Sequence, residues 1–263
     1  MSPLAPHPVI GLNKGMNADE KSTLASFLDL SYDALHGGYR GAKREYNFDE
    51  SPGQDSPAPD SGAAATLAAD NGNDSLESIA TDINNCTACG LCHTRARAVP
   101  GEGAKNPLVM VIGNSPGIEE DACGLPFAGL SGERLEKMLM AIGLSRNGNC
   151  FLTGVVKCKA PDKRVPLPEE TTSCAAFLHR QILLLSPRIV LCAGLTAAQS
   201  LLRTADDMNV LRGKIMKLRI ANSVFPVAVT YHPNDLWENE ELKRPAWEDL
   251  KKLKIWLDAN ANE

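Results

Sequence analysis

Between residues 86 and 263, short apolar runs alternate with amphipathic stretches, and this alternation restricts the fold more than any other feature of the chain. The runs at 107–113, 150–156, 188–194 and 225–233 have the length and composition of buried strands. Helical patterns lie between them, one capped by Ser131, one beginning at Pro168 and one running from about Pro245 to Leu257. Strands that alternate with helices form a largely parallel sheet. We therefore expect an α/β fold, a three-layer α/β/α sandwich.

Each predicted strand leads into an unusual loop. The loops are GNSPG at 113–117, TGVVKC at 153–158, AGLTA at 193–197 and HPNDL at 232–236. In a parallel sheet, ligands bind beyond the carboxyl ends of the strands. We therefore expect the functional site to be built from these loops.

The first 73 residues differ in composition from the rest of the chain. Residues 1–46 form an N-terminal extension in which one amphipathic helix is predicted from Asn17 to Leu35. Residues 47–73 are rich in Ser, Pro, Gly, Ala and Asp, which is typical of a flexible linker. The folded domain is predicted over residues 74–263, with a first helix that opens at Asp74. The N-terminal helix is expected either to dock on a protein partner or to rest on its own domain.

The net charge of −5 is unevenly distributed. Residues 1–85 contain 5 Lys or Arg and 13 Asp or Glu, a balance of −8, whereas residues 86–263 contain 22 and 19, a balance of +3. The acidity thus belongs to the N-terminal arm. A mildly basic body is compatible with a nucleic-acid partner but does not require one.

The chain has no features of a membrane or secreted protein. It lacks a run of about 18 apolar residues, and residues 1–14 lack a basic stretch followed by an apolar one. We therefore expect a cytoplasmic protein, acting as a monomer, with its eight cysteines as ligands or buried thiols rather than disulfides. Cys123, Cys150 and Cys192 are interpreted as buried thiols.

Cys86, Cys89 and Cys92 form a C-x2-C-x2-C pattern. Two cysteines at this spacing can hold a metal ion or one edge of a cluster. A ferredoxin would continue with a cysteine at position 96, which here is Ala96, so further ligands must come from distant positions. Cys158, just beyond a strand, and Cys174, inside the next helix, are the candidates. An iron–sulfur cluster and a zinc ion both remain open.

Several motifs occur together in one order. They are CTACGLCHTR (86–95), VPGEG (99–103), GNSPGIEEDACGLPFAG (113–129), GLSRNGNCFLTGVVKC (143–158), the sixteen-residue step from Cys158 to Cys174, TYHP (230–233) and ELKRPAWEDLKKLK (241–254). From about Ser75 to Leu257, the chain resembles the family-4 uracil-DNA glycosylases. Motifs that match in order and spacing are far more specific than any single one.

The resemblance implies a cofactor, a substrate and a reaction. The cofactor is a [4Fe–4S] cluster of structural role, bound by Cys86, Cys89, Cys158 and Cys174, with Cys92 outside the ligand set. The partner is DNA, from which a damaged base is flipped out. The reaction is hydrolysis of the N-glycosidic bond of uracil or a related deaminated base, a step of base excision repair.

The resemblance also assigns a pocket. It implies that Phe127 stacks on the base and that His232 acts in catalysis beside the base O2. It places the loop residues Gly113, Ser115, Pro116 and Gly117 under the sugar, with Asn114 at the catalytic position and Gly154 at the base edge.

Three positions depart from the family pattern. Asn114 replaces a catalytic Glu, Gly154 replaces an Asn that contacts the uracil edge, and Glu238 lies where an Arg usually approaches the DNA backbone. Asn114 can orient a water molecule but supplies no charge, and loss of a general base costs about 10²–10⁴ in rate. We expect Gly154 to leave a space, with weak discrimination between pyrimidines or acceptance of a larger base. The alternatives are a non-catalytic iron–sulfur DNA-binding relative and a zinc-containing α/β protein of other function.

Overall fold

The computed structural model describes residues 74–261, where six strands form one sheet in the order β1-β3-β2-β4-β6-β5. The N-terminal extension, its predicted helix and the linker lie outside the described residues. The strands are β1 (Glu102–Gly103), β2 (Val109–Gly113), β3 (Cys150–Gly154), β4 (Ile189–Ala193), β5 (Met216–Ile220) and β6 (Ser223–Thr230). Neighbouring strands among β3, β2, β4 and β6 pair in parallel, and β1 and β5 add to the two edges antiparallel.

Burial explains why the central strands were predictable and the edge strands were not. All residues of β2 and β4 are buried, which requires continuous apolar runs. β5 alternates between buried and more exposed residues, and β1 has only two residues, so neither forms an apolar run. The prediction of a largely parallel α/β sheet is confirmed, and the two antiparallel edges are an addition to it.

Helices flank the sheet. They are α1 (Leu76–Asn84), α2 (Ile118–Cys123), α3 (Gly129–Met140), α4 (Pro168–Leu185), α5 (Leu195–Leu202), α6 (Met208–Leu211), α7 (Asp235–Glu238) and α8 (Lys243–Ala259), with short 3-10 helices at Gly90–His93, Pro161–Lys163 and Glu240–Leu242. None of the helices in this part of the chain has the length and apolar character needed to cross a membrane.

Two predicted helix starts are corrected. Ser75, not Asp74, caps α1, since its hydroxyl accepts from Ser78 N at 3.0 Å. Asp74 instead forms an ion pair with Arg180 of α4 at 2.6 Å. α3 begins at Gly129, two residues before the predicted cap Ser131, and its N-cap Ala128 provides no side-chain hydrogen bond.

The register of the central strands brings the predicted functional loops to one edge of the sheet. Gly113 at the end of β2 pairs with Gly154 at the end of β3. Ala193 at the end of β4 pairs with Thr230 at the end of β6, two residues before His232. The carboxyl ends of four parallel strands therefore lie side by side, which is where a ligand site forms in such sheets.

Candidate active site and cysteine cleft

A cleft lies at this edge, and we call it the loop cleft. It collects most of the predicted pocket residues from loops that are far apart in sequence. Gly117 does not line it, although its amide takes part in the surrounding hydrogen bonds. The lining residues are Val99, Gly113, Asn114, Ser115, Pro116, Glu120, Pro126, Phe127, Thr153, Gly154 and His232.

Phe127 is held rigidly at the loop cleft. Its ring lies against Gly113, where a Cβ atom would come within 2.6 Å of the ring Cζ, so only glycine fits at that position. Its backbone has a φ of 51°, in the left-handed region that non-glycine residues rarely adopt. Two hydrogen bonds compensate for this cost, because Phe127 N donates to Glu120 and Phe127 O accepts from Arg146 at 2.9 Å.

The Glu120 carboxylate links the GNSPG loop to Phe127 by hydrogen bonds. One carboxylate oxygen accepts from Gly117 N and the other from Phe127 N. Burial raises the pKa of Glu120, although both backbone hydrogen bonds favour the ionised form and act in the opposite direction. The carboxylate therefore positions the loop and the aromatic ring together.

His232 is available as a neutral hydrogen-bond donor. Its Nδ1 accepts from Asn234 N at 3.2 Å, so the proton of the neutral ring resides on Nε2. Burial lowers the pKa of His232 to about 4, which keeps the ring neutral at pH 7. The His232 ring stacks beside Phe127, with centroids 5.8 Å apart and an interplanar angle of 22°.

The side chain of Asn114 is partly engaged by the protein itself. Its Oδ1 accepts from Ala197 N at 3.0 Å, in the first turn of α5. Because a backbone N–H can only donate, the atom facing it must be the amide oxygen, and this defines the orientation of the amide. The Asn114 amide group also passes close to Gly194, whose φ of 112° and missing Cβ make room for it.

The expectation that Gly154 leaves a space in the pocket is wrong. A Cβ atom there would lie 2.6 Å from the main-chain oxygen of Asn114 and 2.9 Å from that of Val156. The backbone of the GNSPG loop thus occupies the volume in which a side chain would begin. The two departures from the family pattern, at positions 114 and 154, are in direct contact and must be considered together.

Lys157 and Thr153, the other side chains near this edge, interact with each other. Lys157 Nζ donates to Thr153 Oγ1, to Gly154 O at 3.0 Å and to Gln181 Oε1 at 2.7 Å. Burial lowers the pKa of Lys157 to about 8. Thr153 lines the loop cleft, whereas the Lys157 ammonium group is fully occupied beneath it.

A second cleft lies where α1, the first 3-10 helix and α4 meet the loop after β3, and we call it the cysteine cleft. Five cysteines line it: Cys86, Cys89, Cys92, Cys158 and Cys174. The four predicted ligands therefore share one cleft, with Cys92 beside them. Within residues 74–261, no three Cys, His, Asp or Glu side chains are grouped so as to hold one metal ion.

Arg95 links three segments around the cysteine cleft. Its Nη1 donates to Cys158 Sγ at 2.9 Å, and its Nη2 donates to the main-chain oxygens of Asn84 at 2.8 Å and Cys86 at 3.0 Å. The guanidinium thus satisfies a carbonyl at the end of α1. It also places a positive charge beside the Cys158 thiol. Burial raises the pKa of that thiol, and the charge and hydrogen bond of Arg95 act in the opposite direction.

The remaining cysteines lie outside the cysteine cleft. Cys150 and Cys192 are buried in strands, and burial raises the pKa of each to about 12, so both are inert thiols as predicted. Cys123 is exposed at the end of α2, which corrects the prediction of a buried thiol.

Comparison with known proteins decides the family. Residues 100–251 match the model of the "Uracil DNA glycosylase superfamily". A type-4 uracil-DNA glycosylase of Pyrobaculum aerophilum is 38% identical over 172 residues, which cover 64% of this chain and 87% of the relative. Those of Archaeoglobus fulgidus and Sulfurisphaera tokodaii are 33% and 35% identical over 184 and 186 residues, which cover 68% and 69% of this chain and 92% and 84% of the relatives.

The chain belongs to the type-4 uracil-DNA glycosylases. The superfamily match includes every pocket residue from Gly113 to His232 and the two distal cysteines, Cys158 and Cys174. Cys86 and Cys89 precede it. Membership in the type-4 glycosylases confirms the resemblance on which the pocket assignments depend, while the role of each residue stays a prediction.

Sequence reasoning missed two residues that organise the type-4 pocket, Glu120 and Arg146. Glu120 is three residues after the N-cap Gly117, a spacing typical of a capping box, and that signal could have identified it. Arg146 donates to Pro126 O at 2.8 Å and pairs with Glu102 and Glu136. Its partners are far apart in sequence, so no local pattern indicates its role.

An exposed aromatic residue follows His232 in the chain. Trp237, in α7, is 53% exposed, and the Arg134 guanidinium lies 4.8 Å from its ring centroid. Leu236 is buried and Glu238 exposed.

Proposed function

We propose that this chain is a DNA glycosylase that hydrolyses the N-glycosidic bond of uracil or a related deaminated base, in base excision repair. One observation carries the proposal: a neutral His232, with its remaining proton on Nε2, lines the same cleft as the buried ring of Phe127. A donor and a stacking surface in one cleft match the requirements of a flipped base. The names of the curated relatives favour this activity over a non-catalytic role.

The leaving group determines what His232 does. Cleavage of the glycosidic bond places negative charge on the base, and a prearranged donor stabilises that charge in the transition state. Because Nδ1 is occupied by Asn234 N–H, Nε2 is the donor that remains. The Phe127 ring stacks on the base and keeps it in line with that donor.

The sugar side of the reaction depends on Asn114. Its Oδ1 already accepts one hydrogen bond from Ala197 N, but an amide oxygen can accept a second. That second site orients the attacking water. Without a carboxylate beneath the sugar cation, we expect the hydrolysis rate to be about 10²–10⁴ lower than with a general base.

Position 154 affects which bases the pocket accepts. Gly154 has no side-chain amide, and the Asn114 main-chain oxygen lies where its side chain would begin. This oxygen accepts hydrogen bonds but cannot donate them, so a base must offer a donor there. We therefore propose weaker discrimination among deaminated bases than an Asn at 154 would provide.

The cysteine cleft is proposed to hold a [4Fe–4S] cluster on Cys86, Cys89, Cys158 and Cys174. Four cysteines that line one cleft, in a chain of the type-4 family, support the cluster over a single zinc ion. When bound, the cluster cross-links the start of the domain to the loop after β3 and to α4.

DNA is the substrate, and the surface formed by Trp237 and Arg134 is proposed to contact it. The chain is proposed to act as a cytoplasmic monomer, and the N-terminal segment is proposed to bind a protein partner. Asn114, Gly154 and Glu238 favour the second candidate, a non-catalytic DNA-binding relative.

A base panel tests the proposal. Duplexes that contain uracil, hypoxanthine or xanthine are incubated with excess enzyme and nicked with alkali, and single-turnover rates are measured. We expect uracil cleavage with smaller differences among bases than an Asn-containing type-4 enzyme shows. Fast removal of uracil alone would reject the account of position 154. Binding of duplex without cleavage of any base would establish the second candidate instead.

A further inference from the structure

The cysteine cleft holds one thiol more than a four-iron cluster needs. Five cysteines line it, and the proposed ligand set uses four. Cys92 is the remaining one. It is half-buried, like Cys86 and Cys89, and lies on the same short segment.

The backbone places Cys92 in a defined relation to Cys89. Cys89 is the N-cap of the 3-10 helix Gly90–His93, and Cys92 N donates to Cys89 O at 3.3 Å. Cys89 itself has extended backbone angles, with φ −146° and ψ 167°, so it lies just before the helical residues. The hydrogen bond nevertheless brings the backbones of Cys89 and Cys92 together within one four-residue turn.

The other three ligands have no such neighbour. Cys158 Sγ is bound by Arg95, and Cys174 lies within α4, whose other residues include no cysteine. Cys86 is the first residue after α1 and its cap, with its carbonyl held by Arg95. No other cysteine of residues 74–261 lines the cleft.

We propose that Cys92 is an alternative cluster ligand that can take the place of Cys89, an inference that rests on the proposed [4Fe–4S] cluster. In the exchange, the Cys92 thiol loses its proton as its sulfur binds iron, and the departing Cys89 thiolate takes up a proton. No electron is transferred, and the iron keeps four ligands. The guanidinium of Arg95, which donates a hydrogen bond to Cys158 Sγ, lines the same cleft.

Iron content of the full chain tests the proposal. Wild type, Cys89→Ala, Cys92→Ala and the Cys89→Ala/Cys92→Ala double variant are purified anaerobically. Iron, acid-labile sulfide and absorbance near 400 nm are then measured. We expect about four irons in the wild type and in both single variants, and loss of the cluster in the double variant. Cys123→Ala, an exposed cysteine outside the cleft, is the matched control and should keep all its iron.

Two results would overturn the exchange. One is that Cys89→Ala loses as much iron as the double variant, and the other is that Cys92→Ala alone empties the site. A wild type without a four-iron cluster would instead reject the cluster proposal itself. The Cys89→Ala/Cys92→Ser double variant adds a spectroscopic test. It would replace the proposed Cys92 sulfur ligand with oxygen, which should change the electron paramagnetic resonance spectrum of the reduced cluster relative to Cys89→Ala.

Thiol labelling covers the case in which Cys89→Ala does not fold. Folded wild-type protein is treated with iodoacetamide, and the alkylated cysteines are identified by mass spectrometry. Exchange predicts that label divides between Cys89 and Cys92 while Cys158 and Cys174 stay protected. Label on Cys92 alone would overturn the proposal.

Discussion

The loop cleft has lost two side chains that the type-4 pattern places there, whereas the cysteine cleft contains all four expected cysteines and one more. At the loop cleft, the Asn114 backbone has come within contact distance of Gly154, so the two changes are coupled. At the cysteine cleft, cysteines from three distant segments surround one space. A cross-link of the fold would tolerate no loss of a ligand without a substitute, whereas a pocket side chain can be replaced without loss of the fold.

Removal of a cysteine without a substitute is expected to have the largest effect. Cys174→Ala should abolish the absorbance near 400 nm and cause aggregation, because the cross-link between α4 and the rest of the domain is lost. Cys192→Ala removes an equally buried thiol from β4, outside the cleft, and should keep its iron. Full iron content in Cys174→Ala would show that the protein keeps its cluster without one of the four proposed ligands.

His232→Ala should have the next largest effect, on the rate of base cleavage. Loss of a single donor to the leaving group is expected to reduce the single-turnover rate about 10²–10³-fold. Iron content should change little, since the ring contributes no ligand. The exposed His93→Ala is the control. If the variant retains wild-type rate, the proposed role of the neutral imidazole is wrong.

Gly154→Asn tests the coupling within the loop cleft. The new Cβ would clash with two backbone oxygens, so we expect destabilisation of about 1–3 kcal/mol in the single variant. Gly154→Ala adds only the Cβ and should show most of that cost. Asn114→Glu combined with Gly154→Asn should raise the uracil rate, since a charge returns beneath the sugar, and should raise the ratio of uracil to hypoxanthine cleavage. Thermal midpoints unchanged in both single variants would contradict the observed contact.

The smallest expected effect is the pH dependence due to His232. In the unfolded chain its pKa is near 6.5, whereas burial lowers the folded pKa to about 4. The unfolded state therefore takes up a proton first, and stability is lost as pH falls below 6.5. Between pH 7.5 and pH 5, we expect the free energy of unfolding of the wild type to fall by about 1–2 kcal/mol more than that of His232→Gln. Thermal midpoints of both proteins across that range measure it, and parallel curves would contradict the lowered pKa.

Local patterns were sufficient for the central sheet, for α4 and for the family. β2 and β4 are buried throughout, so their apolar runs are visible without any tertiary information. Pro168 begins α4 as predicted, because its fixed φ suits the first helical turn. The edge strands β1 and β5 were missed, since their pairing depends on neighbours rather than on their own composition.

The amino-acid sequence by itself determined which residues are available for chemistry: the cysteines, Phe127, His232 and the substitutions at 114 and 154. Only the tertiary structure decided how they are used. It showed that the Asn114 oxygen is occupied by Ala197 N and that the place beside Gly154 is filled by backbone. It also revealed Glu120 and Arg146 as the supports of Phe127. The physical reason is that these contacts join loops distant along the chain, and their distances are set by sheet register and packing rather than by local spacing.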